Sequence, residues 1–267
     1  MKINVQDLSF AYPGKNLIFN SLRADFDGGE NNRPLVILGP SGSGKTTLLK
    51  LMGGLLKPRN GEITFSPNPC SPEPCVDEHC TGMPRAAFMF QEPRLLPWLT
   101  VLENVTLPLE KDLGKEEARS RAGYFLSRVS LSDKEAAYPK EISGGEAQRV
   151  SLARAFAWPA PLLLMDEPFQ SLDIPLRLSL MDLAMSLLES ENAAKEKFLK
   201  NHFLVAITHD PGEAVYMAGR IIVLGRPGEG IVFDKIVDLR PEDRAYGSAA
   251  AAELEREIIQ ALKFNDL

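Results

Sequence analysis

Nine residues, Gly39-Pro40-Ser41-Gly42-Ser43-Gly44-Lys45-Thr46-Thr47, declare their chemistry most openly. They follow the apolar run Leu35-Val36-Ile37-Leu38 and precede Leu48-Leu49-Lys50-Leu51-Met52, so a buried strand, a Gly-rich turn and a helix are expected in that order. In that setting the spacing G-x-x-x-x-G-K-[ST] makes a phosphate cradle. Glycines admit positive φ and turn backbone N–H groups inward, and the helix start adds a partial positive charge. Lys45 is placed to neutralise β/γ oxygens, and the Thr46 hydroxyl is suited to ligating Mg²⁺. The expected ligand is a nucleoside triphosphate with Mg²⁺.

Asp166 and Glu167 end the apolar run Leu162-Leu163-Leu164-Met165, at the strand end where α/β sheets place their ligands. Two carboxylates there are costly unless a cation or a water meets them. Asp166 would be the outer partner of Mg²⁺, and Glu167 would orient the attacking water or take its proton. The plainer reading is a solvated turn before Pro168. Ser143-Gly144-Gly145-Glu146 opens a predicted helix. Locally it is a capping box, Ser143 accepting from the third residue's N–H while Glu146 reaches back. Its two glycines also clear side chains from the helix start, which suits a phosphate. One cradle already exists at 39–47, so a second makes sense facing the nucleotide of another copy.

The elements that must position these residues are legible in the periodicity. Ile3, Val5, Leu8 and Phe10 suggest a half-buried strand, with Leu22, Ala24 and Phe26 as its antiparallel neighbour across Pro13-Gly14-Lys15-Asn16. Tyr12 closes the first strand, where an aromatic serves packing or binding. A helix over 45–56 and a strand over 62–65 follow. Residues 66–85 are rich in Pro, Cys and acid and show no period, while 86–90 form a strand ending at Gln91. From Leu95 to Ala157 the pattern is mainly helical: Thr100 caps 101–107, and helices span 115–129 and 144–158. After the buried strand 162–168, which ends in the two carboxylates, come a helix over 175–190 and a strand over 203–208 that ends at His209. A strand at 220–224, a hairpin through 225–232 and a terminal helix over 249–262 complete the chain. That last helix carries Leu254, Ile258 and Leu262 on one face.

Buried strands alternating with helices give an α/β fold with a mainly parallel sheet, its antiparallel edge supplied by the N-terminal hairpin. The expected division is a domain over 1–240, containing a helical insertion at about 92–158 and the irregular loop 66–85, followed by a helical extension over 241–267. A net charge of −6 on 267 residues and a pI of about 5.3 argue against a nucleic-acid partner. No uncharged apolar run approaches the roughly 20 residues of a membrane span. The N-terminus lacks a signal peptide's apolar core, so a soluble chain in an ATP-rich compartment is expected.

Gly39–Thr47, Gln91, Ile142-Ser143-Gly144-Gly145-Glu146-Ala147-Gln148-Arg149, Leu162–Pro168, Ser171-Leu172-Asp173 and His209 occur in the order and rough spacing of an ABC-type ATPase. From Tyr12 to about Leu224 the chain resembles the ATP-binding subunit of an ABC transporter. The resemblance implies the ABC ATPase fold: a P-loop NTPase core with an antiparallel N-terminal β subdomain and an inserted helical subdomain. It implies that Tyr12 stacks on adenine and that Gln91 contacts Mg²⁺ or the lytic water and senses the membrane partner. By the same resemblance Ser143 and Gly145 bind γ-phosphate across a head-to-tail homodimer, Asp173 couples the two sites, and His209 holds the γ-phosphate. By itself, His209 at a strand end reads as a structural histidine.

Residues 91–105 resemble the importer subfamily serving nitrate, sulfonate or taurine, where this segment forms the groove for the permease coupling helix. Leu95, Leu96 and Trp98 would otherwise be core residues of the helical lobe. The implied protein sits peripherally at the cytoplasmic face of the membrane, driving transmembrane permease subunits and served indirectly by a solute-binding protein. Its solute would be small and anionic. An ABC-type ATPase uncoupled from transport, an importer ATPase for another solute class, and a P-loop kinase are the rival readings. Ile142 stands where Leu is commoner and Phe169-Gln170-Ser171 where Phe-Gly-Ala is more usual; neither change removes a catalytic atom. Cys70, Cys75, His79 and Cys80 offer a zinc site, a redox sensor or an exposed insertion. The adjacency of His79 and Cys80 is awkward for one tetrahedron.

Overall fold

Leu35–Leu38 and Phe203–Ile207 are buried at every position, and Arg220–Leu224 at every position but the first. Strands covered on both faces must be apolar throughout, which is why these runs show no alternation. The computed structural model describes residues 1–27, 33–66, 84–170, 172–192 and 202–263. The cluster of Cys70, Cys75, His79 and Cys80 lies outside the described residues.

In chain order the elements are β1 (Lys2–Phe10), β2 (Phe19–Asp27), β3 (Leu35–Leu38), α1 (Lys45–Met52), β4 (Asn60–Ser66), β5 (Ala86–Met89), α2 (Val101–Thr106), α3 (Glu110–Leu113), α4 (Lys115–Arg128), α5 (Gly144–Ala157), β6 (Leu162–Asp166), α6 (Ile174–Asn192), β7 (Phe203–Ile207), α7 (Pro211–Met217), β8 (Arg220–Leu224), β9 (Ile231–Ile236) and α8 (Ala249–Lys263). They fall into two units, Met1–Ala86 with Phe203–Leu267, and Ala87–His202.

In the first unit β3 lies between β7 and β8, parallel to both, and β9 pairs antiparallel outside β8. The N-terminal hairpin has the register its alternation dictates, with Ile3 opposite Phe26, Val5 opposite Ala24 and Leu8 opposite Leu22. It does not edge the parallel sheet. Instead β1 takes β4 on its other side, Ile3 opposite Phe65 and Val5 opposite Ile63, making a separate antiparallel sheet in the order β2-β1-β4. The antiparallel edge of the main sheet is β9.

The helix expected over 45–56 stops at Met52. Gly53 caps it, and Gly54 follows at φ +70°. Two successive glycines end a helix more cheaply than they continue it. The amphipathic α8 packs on α7, β8 and β9 through Ala251, Leu254 and Ile258, while Leu262 is only half-buried.

In the second unit the helices α2 to α5 are inserted in the chain between β5 and β6. Val101, Val105, Ala122, Phe125, Leu152 and Phe156 are fully buried there. Thr100 caps α2 in a full capping box with Glu103. The buried Arg121 donates through Nε to Ala157 O, satisfying a carbonyl at the end of α5. Among the described residues no helix is long and apolar enough to cross a membrane.

Candidate active site

The chain leaves β3 into the Gly-rich turn and re-enters regular structure at Lys45. Gly44 is the N-cap of α1 at φ +98° and supplies no side-chain cap. A Cβ on Gly44 would lie 2.4 Å from Ile18 Cγ2 and 2.8 Å from Phe19 Cζ, so position 44 excludes a side chain on both counts. The first N–H groups of α1 have no intrahelical partners, as at any helix start. Lys45 is buried, its Nζ donating to Gly39 O at 2.7 Å and Pro40 O at 3.0 Å. The Ser43 hydroxyl is 2% exposed as a residue and has no hydrogen-bond partner among the described residues. A buried hydroxyl without a partner is disfavoured unless a ligand supplies one. Phosphate oxygens would fill that role.

Tyr12 is brought to this loop. Its hydroxyl lies 3.4 Å from Thr47 Oγ1, its ring meets Phe10 edge-on at 5.1 Å, and its carbonyl accepts from Arg59 at 3.4 Å. His209 leaves the end of β7 just as the phosphate loop leaves its parallel neighbour β3. The two ends are joined by Thr208 N donating to Ile37 O at 3.3 Å. The turn holding His209 is knit by its neighbours. The Thr208 hydroxyl donates to the buried carboxylate of Glu213 and accepts from Asp210 N at 3.1 Å. Asp210 in turn caps α7, accepting from Gly212 N and Glu213 N. The first unit thus assembles Tyr12, the loop 39–47 and His209.

The remaining candidates lie in the second unit. Asp166 ends β6 half-buried, and Glu167 follows at φ +48°, one of only five non-glycine positive-φ residues among those described. Such a backbone costs of order 1–3 kcal/mol and persists where surrounding structure enforces it. Beyond it Phe169 is fully buried, and Pro168 O accepts from Gln148 Nε2. Gln91 donates through Nε2 to Gln170, the residue that departs from the family pattern. The backbone after Gln91 is held to α5, with Gln148 Nε2 reaching Gln91 O at 3.3 Å, Arg154 Nη2 reaching Pro93 O at 2.6 Å and Arg154 Nη1 reaching Arg94 O at 3.1 Å. Burial holds the Arg154 guanidinium below its ordinary range.

Ser143 and Glu146 make the capping box in full, Ser143 Oγ accepting from Glu146 N at 3.2 Å and Glu146 Oε2 from Ser143 N at 2.7 Å. The Ser143 backbone N–H donating to that carboxylate, and after it the Ser143 side chain, hold the Glu146 carboxyl below its usual range. The glycines differ. A Cβ on Gly144 would meet open space, whereas one on Gly145 would lie 2.7 Å from Leu176 Cδ2 of α6. Gly144 leaves the helix start bare, and Gly145 leaves room for the Leu176 side chain. Asp173 Oδ1 accepts from Leu176 N at 3.0 Å, the geometry of an N-cap for α6.

In the segment 91–105, Trp98 is 70% exposed and Leu95 and Leu96 are half-buried, so Trp98 is not core. The loop is held by buried Asn104, whose Oδ1 accepts from Leu96 N and whose Nδ2 donates to the carbonyls of Leu96, Leu99 and Thr100. Nearby, a groove of about 300 Å³ opens among Leu99, Leu102, Leu107, Glu103, Lys115 and Arg119.

Sequence reasoning missed Asn104, Gln148, Arg154, Thr208 and Glu213 as positioning groups. Gln148 left a signal, a polar residue one turn before Leu152 on the apolar face of α5.

Residues 25–170 match the family model described as ABC transporter. The aliphatic sulfonates import ATP-binding protein SsuB of Corynebacterium glutamicum is 38% identical over 216 residues, covering 80% of this chain and 77% of that one. Its counterpart of the same name in Escherichia coli K12 is 35% identical, covering 92% and 85%. Among solved structures, a dimeric bacterial ABC transporter cassette superposes with TM-score 0.69 at 29% identity, covering 89% of this chain and 100% of that one. A post-hydrolysis dimer of an ATP-binding cassette holding ADP and Pi gives 0.68 at 28%, with the same coverage.

Proposed function

The chain belongs to the ABC transporter family, and from that premise we propose that it is the ATP-hydrolysing subunit of an aliphatic sulfonate importer, acting as a head-to-tail pair on membrane permease subunits. The observation that carries the nucleotide reading is the start of α1. There a helix is capped by Gly44 alone, a buried Ser43 hydroxyl has no partner, and Lys45 is folded over loop carbonyls. A triphosphate satisfies all three. The sulfonate assignment rests on the relatives' names and their coverage of this chain.

The residue roles follow from chemistry and family pattern. Tyr12 stacks on adenine, and the 39–47 loop holds the phosphates. Water attacks the γ-phosphorus, its bond to the bridging oxygen breaks, ADP departs, and Glu167 takes the water's proton. His209 holds the γ-phosphate, and Gln91 orients the water. Thr46, Gln91 and Asp166 would hold Mg²⁺ through the hard oxygen donors that it takes, and its charge would offset that of the phosphates. Ser143, Gly144, Gly145 and Glu146 form the helix start offered to the nucleotide of the other copy, and Asp173 couples the two centres. Exposed Trp98 and the groove nearby support a seat for the permease within 91–105; with that partner the chain would sit peripherally at the membrane's cytoplasmic face.

Glu167→Gln tests the chemistry. It should keep ATP binding, lower turnover by about a hundredfold or more, and accumulate an ATP-bound dimer. Coexpressed with its permease in cells lacking a sulfonate ATPase, the unaltered chain should restore growth on an alkanesulfonate as sole sulfur source, and Glu167→Gln should not. Normal turnover in the variant rejects the assigned base. Turnover without sulfonate-dependent growth rejects the solute alone.

A further inference from the structure

The C-terminal residues from Val237 onward belong to none of the nucleotide motifs, yet they are built onto one part of the first unit. Arg244 is 4% exposed and directs its guanidinium at four main-chain carbonyls. Nε donates to Leu239 O at 2.9 Å, Nη2 to Val237 O at 2.9 Å, and Nη1 to Val215 O at 3.4 Å and to Ala218 O. The last two carbonyls lie at the C-terminal end of α7, where a helix leaves acceptors unpaired. Burial, with Arg33 nearby as the second cause, pushes this guanidinium down to about 10.

The other end of α7 is held as well. Gly212 sits in its first turn, and a Cβ there would lie 2.8 Å from Tyr246 Cε1 and 3.1 Å from Asp210 Oδ1. Tyr246 thus rests on the backbone two residues after Asp210, its ring centroid 5.9 Å from that of Tyr216. From α8, Glu255 is near enough to Asp210 that the second carboxylate adds to burial in raising its pKa. Lys235 of β9 fixes α8 through Glu257 at 2.6 Å.

The helix α7 has seven residues, too few to be stable unaided, and it begins directly after Thr208-His209-Asp210. We infer that the C-terminal segment braces both ends of α7 and so sets where the His209 side chain points, making Tyr246 and Arg244 positioning residues for the γ-phosphate. This rests on the reading of His209 given above. Misplacement by about 1 Å at a reacting centre costs up to roughly a hundredfold in rate. The brace therefore matters to turnover more than to nucleotide affinity.

The test uses the full chain with Tyr246→Ala, Tyr246→Phe and His209→Ala, and with Ile3→Val in the separate antiparallel sheet as a control for lost stability. Tyr246→Ala should lower kcat about tenfold while KM for ATP stays within about twofold, and Tyr246→Phe should restore it. Ile3→Val should leave both constants unchanged. Amides of residues 208–210, 212 and 213 should exchange hydrogen faster in Tyr246→Ala, with β1 and β2 unaltered. On the residual turnover of His209→Ala, adding Tyr246→Ala should change little, because the two act through one group. Unchanged kcat and exchange in Tyr246→Ala, or a loss that multiplies fully with that of His209→Ala, overturns the brace. Full turnover in His209→Ala alone would instead overturn the role given to His209.

Discussion

Gly42 and Gly44 sit two residues apart in the phosphate loop, both at positive φ, yet alanine should not be equally harmful at both. At Gly42 (φ +82°) a Cβ would meet nothing within 4 Å, so the penalty is the backbone's alone, about 1–2 kcal/mol. At Gly44 (φ +98°) the same backbone cost is joined by a collision with Ile18 Cγ2 and Phe19 Cζ. Overpacking of that kind adds about 1–3 kcal/mol. Gly44→Ala should therefore be the less stable variant in urea. It should also bind ATP more weakly, because relieving the clash moves the helix start proposed to receive the phosphates. Equal midpoints for the two variants would show that the loop yields freely at position 44.

The start of α5 shows how one element answers to pH. Hydrogen bonds from Ser143 hold the Glu146 carboxyl below the ordinary glutamate value of 4.5, so its contribution is present above that value and is lost as pH falls through the lower folded value. Glu146→Gln keeps an acceptor for Ser143 N but carries no charge. At neutral pH the variant should melt below the unaltered protein, and the gap should close as pH is lowered past about 4.5. A gap that stays constant from pH 7 to pH 3 would deny the charge any part in the cap. This capping box was legible from Ser143-Gly144-Gly145-Glu146, as were the β1–β2 register and the doubly buried β3, β7 and β8, because each depends on local pattern. The pairing of β1 with β4 was not legible, since the partner strand lies some fifty residues away and leaves no local trace. The end of α1 was misjudged because Leu55 and Leu56 keep the helical period past Gly53 and Gly54. At the site, the motif residues were readable by type. Their supports, Gln148 and Arg154 beneath Gln91 and Glu213 beneath Thr208, were not readable, because a buried polar residue declares its role only through its partner.

At the scale of the whole molecule, each chain holds one triphosphate loop and one further helix start suited to phosphate, at Gly144, where a Cβ would meet open space. Lys45 belongs to the first unit and Ser143 to the second. If each centre takes Lys45 from one copy and Ser143 from the other, the two defects can complement. In a mixed pair of Lys45→Ala and Ser143→Ala chains, one centre carries both defects and the other carries neither. Random pairing makes about half of all dimers mixed, each with one sound centre of two, so an equal mixture should recover about a quarter of normal turnover per chain. Each variant by itself should be nearly inactive. That recovery should disappear on dilution below the dimer's dissociation constant and should be absent when Glu167→Gln is carried on the chain that gives the sound centre its Lys45 side. For the sound centre that side is the Ser143→Ala chain, which supplies Lys45 and its own Glu167. Glu167→Gln placed on the Lys45→Ala chain should instead leave the recovery intact, a contrast that a centre completed within one chain does not produce.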